Sequence, residues 1–356
     1  MRIIQVIENI VFGDAISNHS VNIYKVLKEN GYETAIYAVH YDTRLDENMV
    51  HSIDDLPQLK QDDLVIYQMC QSSILNTMIP KWECKKACIY HNITPPDFFL
   101  PYDGFQPRFQ QKGLKEIGKL KNCFDYVWGV SQFNCDNLVE MGYDVNKTAV
   151  LPIMLDFSDF KQEPDQKTVE KYSDGWVNIL FVGRISPNKK QEDIIRAFAY
   201  YKKYINEKSR LILVGSFFNP VYKHCLEKYV EELGVKDVVF PGHISFQEIL
   251  GFYSVANVLL CMSEHEGFCV PLLEAMLFDV PIVAYDSSAI SETLGGSGIM
   301  VQDKDPVKIG FIIQQLVSNE ELRRKVIEKQ RERLEDFSLE KVGEQFLEKI
   351  RGITEV

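Results

Sequence analysis

Residues 181–190 read Phe-Val-Gly-Arg-Ile-Ser-Pro-Asn-Lys-Lys, FVGRISPNKK. The largely apolar stretch Val177–Val182 leading into them reads as a buried strand that ends at Gly183. Arg184 and Lys189 fall in the loop that follows, and a helical stretch begins near Gln191. Downstream, the same alternation places strands at Leu211–Val214, Val238–Phe240, Val258–Met262, Ile282–Tyr285 and Ile299–Val301. Upstream, strands fall at Arg2–Ile7, Thr34–Val39, Leu64–Met69, Ala87–Tyr90 and Tyr126–Val130. A helix from about Ser17, capped by Ser17 or Asn18 and closed by Gly31, follows the first strand. Short apolar strands alternating with helices argue for parallel sheets covered on both faces. The expected fold is α/β, with two doubly wound, Rossmann-like parallel-sheet domains facing a central cleft. In such sheets ligands bind beyond the carboxyl ends of the strands.

The two halves are expected to meet at residues 156–175, a polar stretch with one Pro and one Gly that reads as a linker. The expected domains are therefore 1–155 and 156–338. Val342, Phe346, Leu347 and Ile350 line one face of a terminal amphipathic helix. The segment 339–356 is expected to pack back on the first domain. With 356 residues, 46% of them hydrophobic, the chain has material for two cores and lacks the composition of a disordered protein. A net charge of −12 argues against a broad basic face for nucleic acid. Glu8 interrupts the N-terminal apolar run, so that run does not read as a signal peptide, and no apolar run approaches the length that spans a bilayer. The eight cysteines include no CxxC. Cys84, Cys88 and His91 are close in sequence, but a fourth ligand at zinc spacing is missing, so the cysteines read mainly as small buried hydrophobes in a reducing compartment.

Two segments carry candidate chemistry. Arg184 and Lys189, beyond a strand end and beside a helix start, suit a diphosphate clamp; a solvated basic turn would have the same pattern. Ser263–Glu274 reads SEHEGFCVPLLE, and again follows a strand. Glu266 and Glu274 can project from loop and helix toward one ligand, and a carboxylate can accept from both hydroxyls of a ribose. Gly267 permits close approach of backbone amides to an anion. The alternative is that these acids simply favour a helix N-terminus. Asp303-Lys-Asp305 matches a DxD metal pattern formally, but Asp305-Pro306 reads better as a helix cap with Pro at the first position.

Together, FVGRISPNKK and EHEGFCVPLLEAM resemble the signature regions of the family 4 retaining glycosyltransferases of GT-B fold, of the bacterial surface-polysaccharide type. VFGDAISNHS, WGVSQF, LVG, PGHIS and PIVAYDSSAISETLGGSG agree in order, over residues 2 to 350. The resemblance implies that Arg184 and Lys189 hold the donor diphosphate, that Glu274 binds the ribose, and that Glu266, with the amides around Gly267 and Phe268, faces the sugar and β-phosphate. It places Gly183 in the donor loop, Gly13 in the glycine loop beside the phosphates, His91 near the transferred sugar and Ile244 at the nucleobase. A core or capping histidine is the other reading of His91. Cys269 stands where many relatives have glycine, and Asp14 where many have a second glycine.

The expected function is retaining transfer of a hexose from a UDP- or GDP-linked sugar to a glycan or lipid-linked saccharide in polysaccharide biosynthesis, without metal or other cofactor. A GT-B sugar-nucleotide 2-epimerase and a non-catalytic nucleotide- or carbohydrate-binding subunit are the alternatives. The absence of GxGxxG after the first strand argues against a dinucleotide oxidoreductase. The work is expected at the cytoplasmic face, with peripheral membrane contact through residues 108–121, RFQQKGLKEIGKLK, where Lys112, Lys115 and Lys119 recur at helical spacing.

Overall fold

The computed structural model describes residues 1–11 and 13–354. Phe12 of the glycine loop, and Glu355 and Val356 of the expected terminal segment, lie outside the described residues. The chain divides into two compact units: Met1–Pro96, Phe105–Asp156 and Asp336–Val356 form unit 1, and Asp97–Gly104 and Phe157–Glu335 form unit 2.

Unit 1 is built on seven strands: β1 Arg2–Ile10, β2 Glu33–Tyr41, β3 Val50–Ser52, β4 Leu64–Met69, β5 Lys85–Tyr90, β6 Tyr126–Gly129 and β7 Thr148–Val150. Their order is β3-β2-β1-β4-β5-β6-β7, with parallel pairing throughout. The helices α1 Ala15–Glu29, α2 Leu75–Met78, α3 Gln106–Lys119 and α4 Gln132–Glu140 lie between strands in the chain. β4 is buried at every residue, as a central strand of a doubly covered sheet requires, and its one polar amide, Gln68, is hydrogen-bonded. The cap of α1 differs from the expected Ser17 or Asn18: Asp14 accepts from the backbone amides of Ile16 and Ser17. A carboxylate at this position meets the helix dipole as well as its orphan donors. Gly13, immediately before it, has φ +82°, which glycine adopts without strain.

Unit 2 has six strands: β8 Val177–Val182, β9 Ser209–Val214, β10 Val238–Gly242, β11 Val258–Cys261, β12 Ile282–Tyr285 and β13 Ile299–Val301. The order is β10-β9-β8-β11-β12-β13, again parallel. Its helices are α5 Gln166–Tyr172, α6 Gln191–Tyr204, α7 Pro220–Leu233, α8 Phe246–Val255, α9 Val270–Leu277, α10 Ile290–Leu294, α11 Pro306–Ser318 and α12 Glu320–Leu334. The stretch read as a linker is largely part of this unit. Asp165 caps α5, the Thr168 side chain is buried, and a Cβ on Gly251 of α8 would sit 3.0 Å from Thr168 Cβ. A short capped helix packed by a few residues can be as polar overall as a linker.

The last helix, α13 Leu339–Thr354, belongs to unit 1. Val342, Phe346, Leu347, Ile350 and Ile353 are buried, Phe346 meets Trp128 edge-on at 6.0 Å, and Lys85 Nζ donates to the Ile353 carbonyl at 2.7 Å.

Candidate functional site

Both sheets reverse direction of growth beside their first strand. In unit 2 the switch lies between β8 and β11, where loops leave in opposite directions and open a crevice for a ligand. The loop after β8 carries Arg184 and Lys189, and the loop after β11 carries Glu266. Gly183 has φ +141°. Gly215, just after β9, has φ +144°, and a Cβ there would fall 1.9 Å from the Gly183 carbonyl oxygen. The bare backbone at Gly215 is what lets the donor loop bend at Gly183.

The structure joins two of the proposed site residues directly. Lys189 Nζ lies 2.5 Å from both Glu266 oxygens, and Glu266 is 7% exposed. Burial pulls the Lys189 pKa down, but the adjacent Glu266 charge outweighs this and the net shift is upward. Asn188 holds the two loops in register: its carbonyl accepts from the Glu264 amide at 2.9 Å, and its Nδ2 donates to the His265 carbonyl at 3.0 Å. The Glu266 amide donates to Ser288 Oγ at 2.8 Å. Arg184 is exposed. Lys190, at φ +52°, pairs instead with Glu192 and Glu264.

Glu274 lies in the second turn of α9, beyond the reach of the dipole argument raised for it. Its Oε2 accepts from Tyr253 Oη at 2.6 Å. Burial raises its pKa, and the Tyr253 hydrogen bond works against that rise. Cys269, the N-cap of α9, has φ +76°, so the residue replacing glycine keeps glycine's left-handed backbone. The Cys261 thiol donates to Ser263 Oγ at 3.5 Å; the neighbouring Cys269 pulls the Cys261 pKa down, while Cys261 and burial push that of Cys269 up. Phe268 is buried, and its carbonyl accepts from Thr293 Oγ1 at 2.6 Å. Gly267 is half-buried; Ile244 is also half-buried, between Gly242 at φ +80° and the capping-box Ser245. Asp305 caps α11 through the Val307 amide and Asp303 pairs with Lys308 on the surface, which accounts for the DxD pattern.

In unit 1, His91 follows β5 and is buried. Its Nε2 donates to Gln68 Oε1 at 2.7 Å; Gln68 donates to Gln5 at 3.0 Å, and Gln5 to the Ser20 carbonyl at 2.9 Å. That assignment leaves His91 Nδ1 as a buried acceptor without a partner. His19 sits 5.5 Å away, edge to face. Its Nδ1 accepts from the Met154 amide at 2.8 Å, so its Nε2 carries the proton and is likewise buried and unpartnered. Burial lowers the His19 pKa to about 3 and that of His91 well below its usual value. Cys84 and Cys88 are core residues, and His91 is engaged by Gln68. His19, Tyr253 and Asn188 had not been singled out from the sequence. His19 stands in the quoted VFGDAISNHS segment, within α1, and Asn188 within FVGRISPNKK; Tyr253 has no sequence signal, because its partner is 21 residues away on another helix.

Residues 162–333 match the family model described as glycosyl transferases group 1. The O-antigen chain mannosyltransferase RfbU of Salmonella typhimurium is 30% identical over 217 residues, covering 60% of this chain and 56% of that protein. The serotype-specific mannosyltransferase WbdA of Escherichia coli is 22% identical over 250 residues, 68% of this chain and 30% of that one. The chain thus spans less than two thirds of the length of either relative. The structure of Anabaena Alr3699/HepE in complex with UDP and glucose superposes with a TM-score of 0.78 over 99% of this chain and all of that one, at 16% identity. The chain therefore has the GT-B fold, and its residues 162–333 are similar to the glycosyl transferases group 1 family.

Proposed function

We propose that the chain transfers a hexosyl group, with retention and without a metal, from a UDP- or GDP-linked sugar to a glycan or lipid-linked saccharide in the building of a surface polysaccharide. The observation that carries this reading is the Lys189–Glu266 pair beside Arg184 at the β8/β11 switch. A diphosphate entering there competes with Glu266 for Lys189 and takes Arg184 as a second cation. As the sugar leaves, charge grows on the β-phosphate, and fixed cations stabilise it where a divalent ion otherwise would. Glu274, held by Tyr253 through one oxygen, takes the ribose hydroxyls. Gly183, Gly267, Phe268 and Ile244 bind the rest of the donor, and His91 and Gly13 keep the roles that the family resemblance implies. Retention follows from the same resemblance: the acceptor hydroxyl attacks on the face the phosphate leaves, and the departing phosphate takes its proton.

The test is a panel of UDP- and GDP-hexoses with saccharide acceptors, in EDTA. Nucleoside diphosphate release with an α-linked product from an α-linked donor is expected. An epimerised donor formed without acceptor would replace this reading with the 2-epimerase, and tight donor binding without turnover would replace it with the binding subunit.

For the acceptor side we propose peripheral contact with an anionic membrane through α3. Arg108, Lys112, Lys115 and Lys119 are exposed on one stripe, although Lys112 also lies 3.5 Å from Glu116. Gly113 does not weaken this helix idly: a Cβ there would meet Ser72 N and Ile93 Cδ1, both at 2.9 Å. Among the described residues no helix is long and apolar enough to cross a membrane. Sedimentation with anionic vesicles at low salt, lost in high salt and in Lys112→Glu plus Lys115→Glu, is the expected outcome, at about 1 kcal/mol per lysine. No sedimentation at low salt leaves a soluble acceptor.

A further inference from the structure

Beneath the Lys189–Glu266 pair lie two thiols that the transfer reaction does not use. Cys261 ends β11, Cys269 caps α9, and Glu266 stands in the loop between them. Their exposures are 3%, 8% and 7%, and one ligand atom from each lies within 4.8 Å of the others. A cavity of about 10 Å3, walled by these three residues, Lys189 and the apolar Phe181 and Leu272, has room for roughly one water-sized atom.

We propose that Cys261, Cys269 and Glu266 form a binding site for a soft divalent cation of the zinc class. Thiolate and carboxylate ligands on a tetrahedral zinc stand about 3.5–3.8 Å apart, given metal–sulfur bonds near 2.3 Å and metal–oxygen bonds near 2.1 Å. The present ligand atoms lie within 4.8 Å of one another, so binding draws them together by about 1 Å. Charge also favours the site. Two thiolates and a carboxylate carry −3, the ion +2 and the Lys189 ammonium +1, so the buried assembly is neutral. Thiolate ligands select zinc or cadmium over magnesium or calcium. Binding forms two metal–sulfur bonds and one metal–oxygen bond and releases the two thiol protons to solvent, so affinity rises with pH. One Glu266 oxygen goes to the ion and the other stays with Lys189, which ties that lysine more firmly to its present partner. Bound at the pocket floor, the ion opposes the exchange of partners that frees Lys189 for a diphosphate.

Cadmium is the probe, added to the reduced full-length chain without donor or acceptor. The expected result is one tight ion per chain, a cadmium–thiolate absorption band in the ultraviolet, and release of two protons. Cys269→Gly is the sharpest variant, because its left-handed backbone suits glycine and the variant should fold. It should lose the band and weaken binding roughly 10²-fold or more, taking the loss of a ligand to exceed the effect of an outer-shell partner. Cys261→Ser should do the same, whereas Cys225→Ser, at an exposed site, should not. A band that survives both Cys269→Gly and Cys261→Ser, or no stoichiometric cadmium binding by the parent chain, overturns the proposal. Because no sugar nucleotide enters the experiment, its outcome is independent of the transferase reading.

Discussion

The two units share a strand order around their first strand, yet they furnish it with opposite electrostatics. In unit 2 the crevice between β8 and β11 holds full charges, each already opposite a counter-charge, as in Lys189–Glu266 and Lys190–Glu264. In unit 1 the corresponding interior, spanning β1, β4 and the end of β5, holds a neutral chain of amides and imidazoles, Gln5–Gln68–His91, with His19 beside it. Paired charges can exchange partners when an anion arrives. A neutral network instead fixes tautomers, leaving one donor and one acceptor of defined direction, which suits hydroxyls. Strand order sets where a ligand goes, and the residues at the loop starts set which kind.

The clearest way to break this contrast is to remove a cation from unit 2. Arg184→Ala and Lys189→Ala should each lower turnover roughly 10²-fold or more, the effect of losing a group aimed at developing charge. The two differ in stability. Lys189→Ala strands Glu266 in a buried position, at a cost of about 3–5 kcal/mol, whereas exposed Arg184 should melt near the parent temperature. Lys189→Met with Glu266→Gln should recover much of the stability without recovering turnover. Near-normal kinetics in both single variants would remove the clamp.

Glu274→Gln comes next. An amide accepts through one oxygen only, and Tyr253 already occupies one acceptor. Nucleotide affinity measured by calorimetry should fall by about 1.5–3 kcal/mol. Unchanged affinity would return Glu274 to a structural role with Tyr253.

The smallest effect sharpens the neutral side. His19 has a folded pKa of about 3 against 6.5 in the unfolded chain. Between those values the unfolded state binds the extra proton, so its contribution to stability is complete above pH 6.5 and declines as the pH falls, by about 1.4 kcal/mol per unit. His19→Asn can still accept from the Met154 amide but cannot titrate. From pH 7.5 to 5.5 the parent chain should therefore lose about 1.4 kcal/mol more than this variant, as read by denaturant unfolding. Parallel losses in the two chains would mean that His19 is charged when folded.

What the sequence made legible follows from where the information lies. Central strands such as Leu64–Met69 and Val177–Val182 are apolar runs broken by a single amide each, Gln68 and Asn178, so their bounds were readable. The edge strands Val50–Ser52 and Thr148–Val150 have three residues each and are only partly buried, which leaves no run or alternation to detect. Asp14 as helix cap was obscured by Ser17 and Asn18, equally good formers a few residues on. The loops after β8 and β11 were readable as loops, because strand ends and helix starts are local features. That Lys189 meets Glu266, 77 residues away, depends on β8 and β11 being neighbours, which no local pattern states. The thiol pair was similarly hidden, since Cys269 draws notice only as a missing glycine until its backbone and Cys261 are seen together.

The return of α13 to unit 1 has a consequence for biosynthesis. Its buried face covers Trp128 and reaches Lys85, yet roughly 190 residues separate β7 from α13 in the chain. At ribosomal speeds of about 5–20 residues per second, the sheet of unit 1 waits on the order of 10–40 s for this helix to be made. Unit 2, translated almost wholly within that interval, can close first. The apolar surface around Trp128 is then what a nascent-chain chaperone would meet, and it vanishes only when the helix docks.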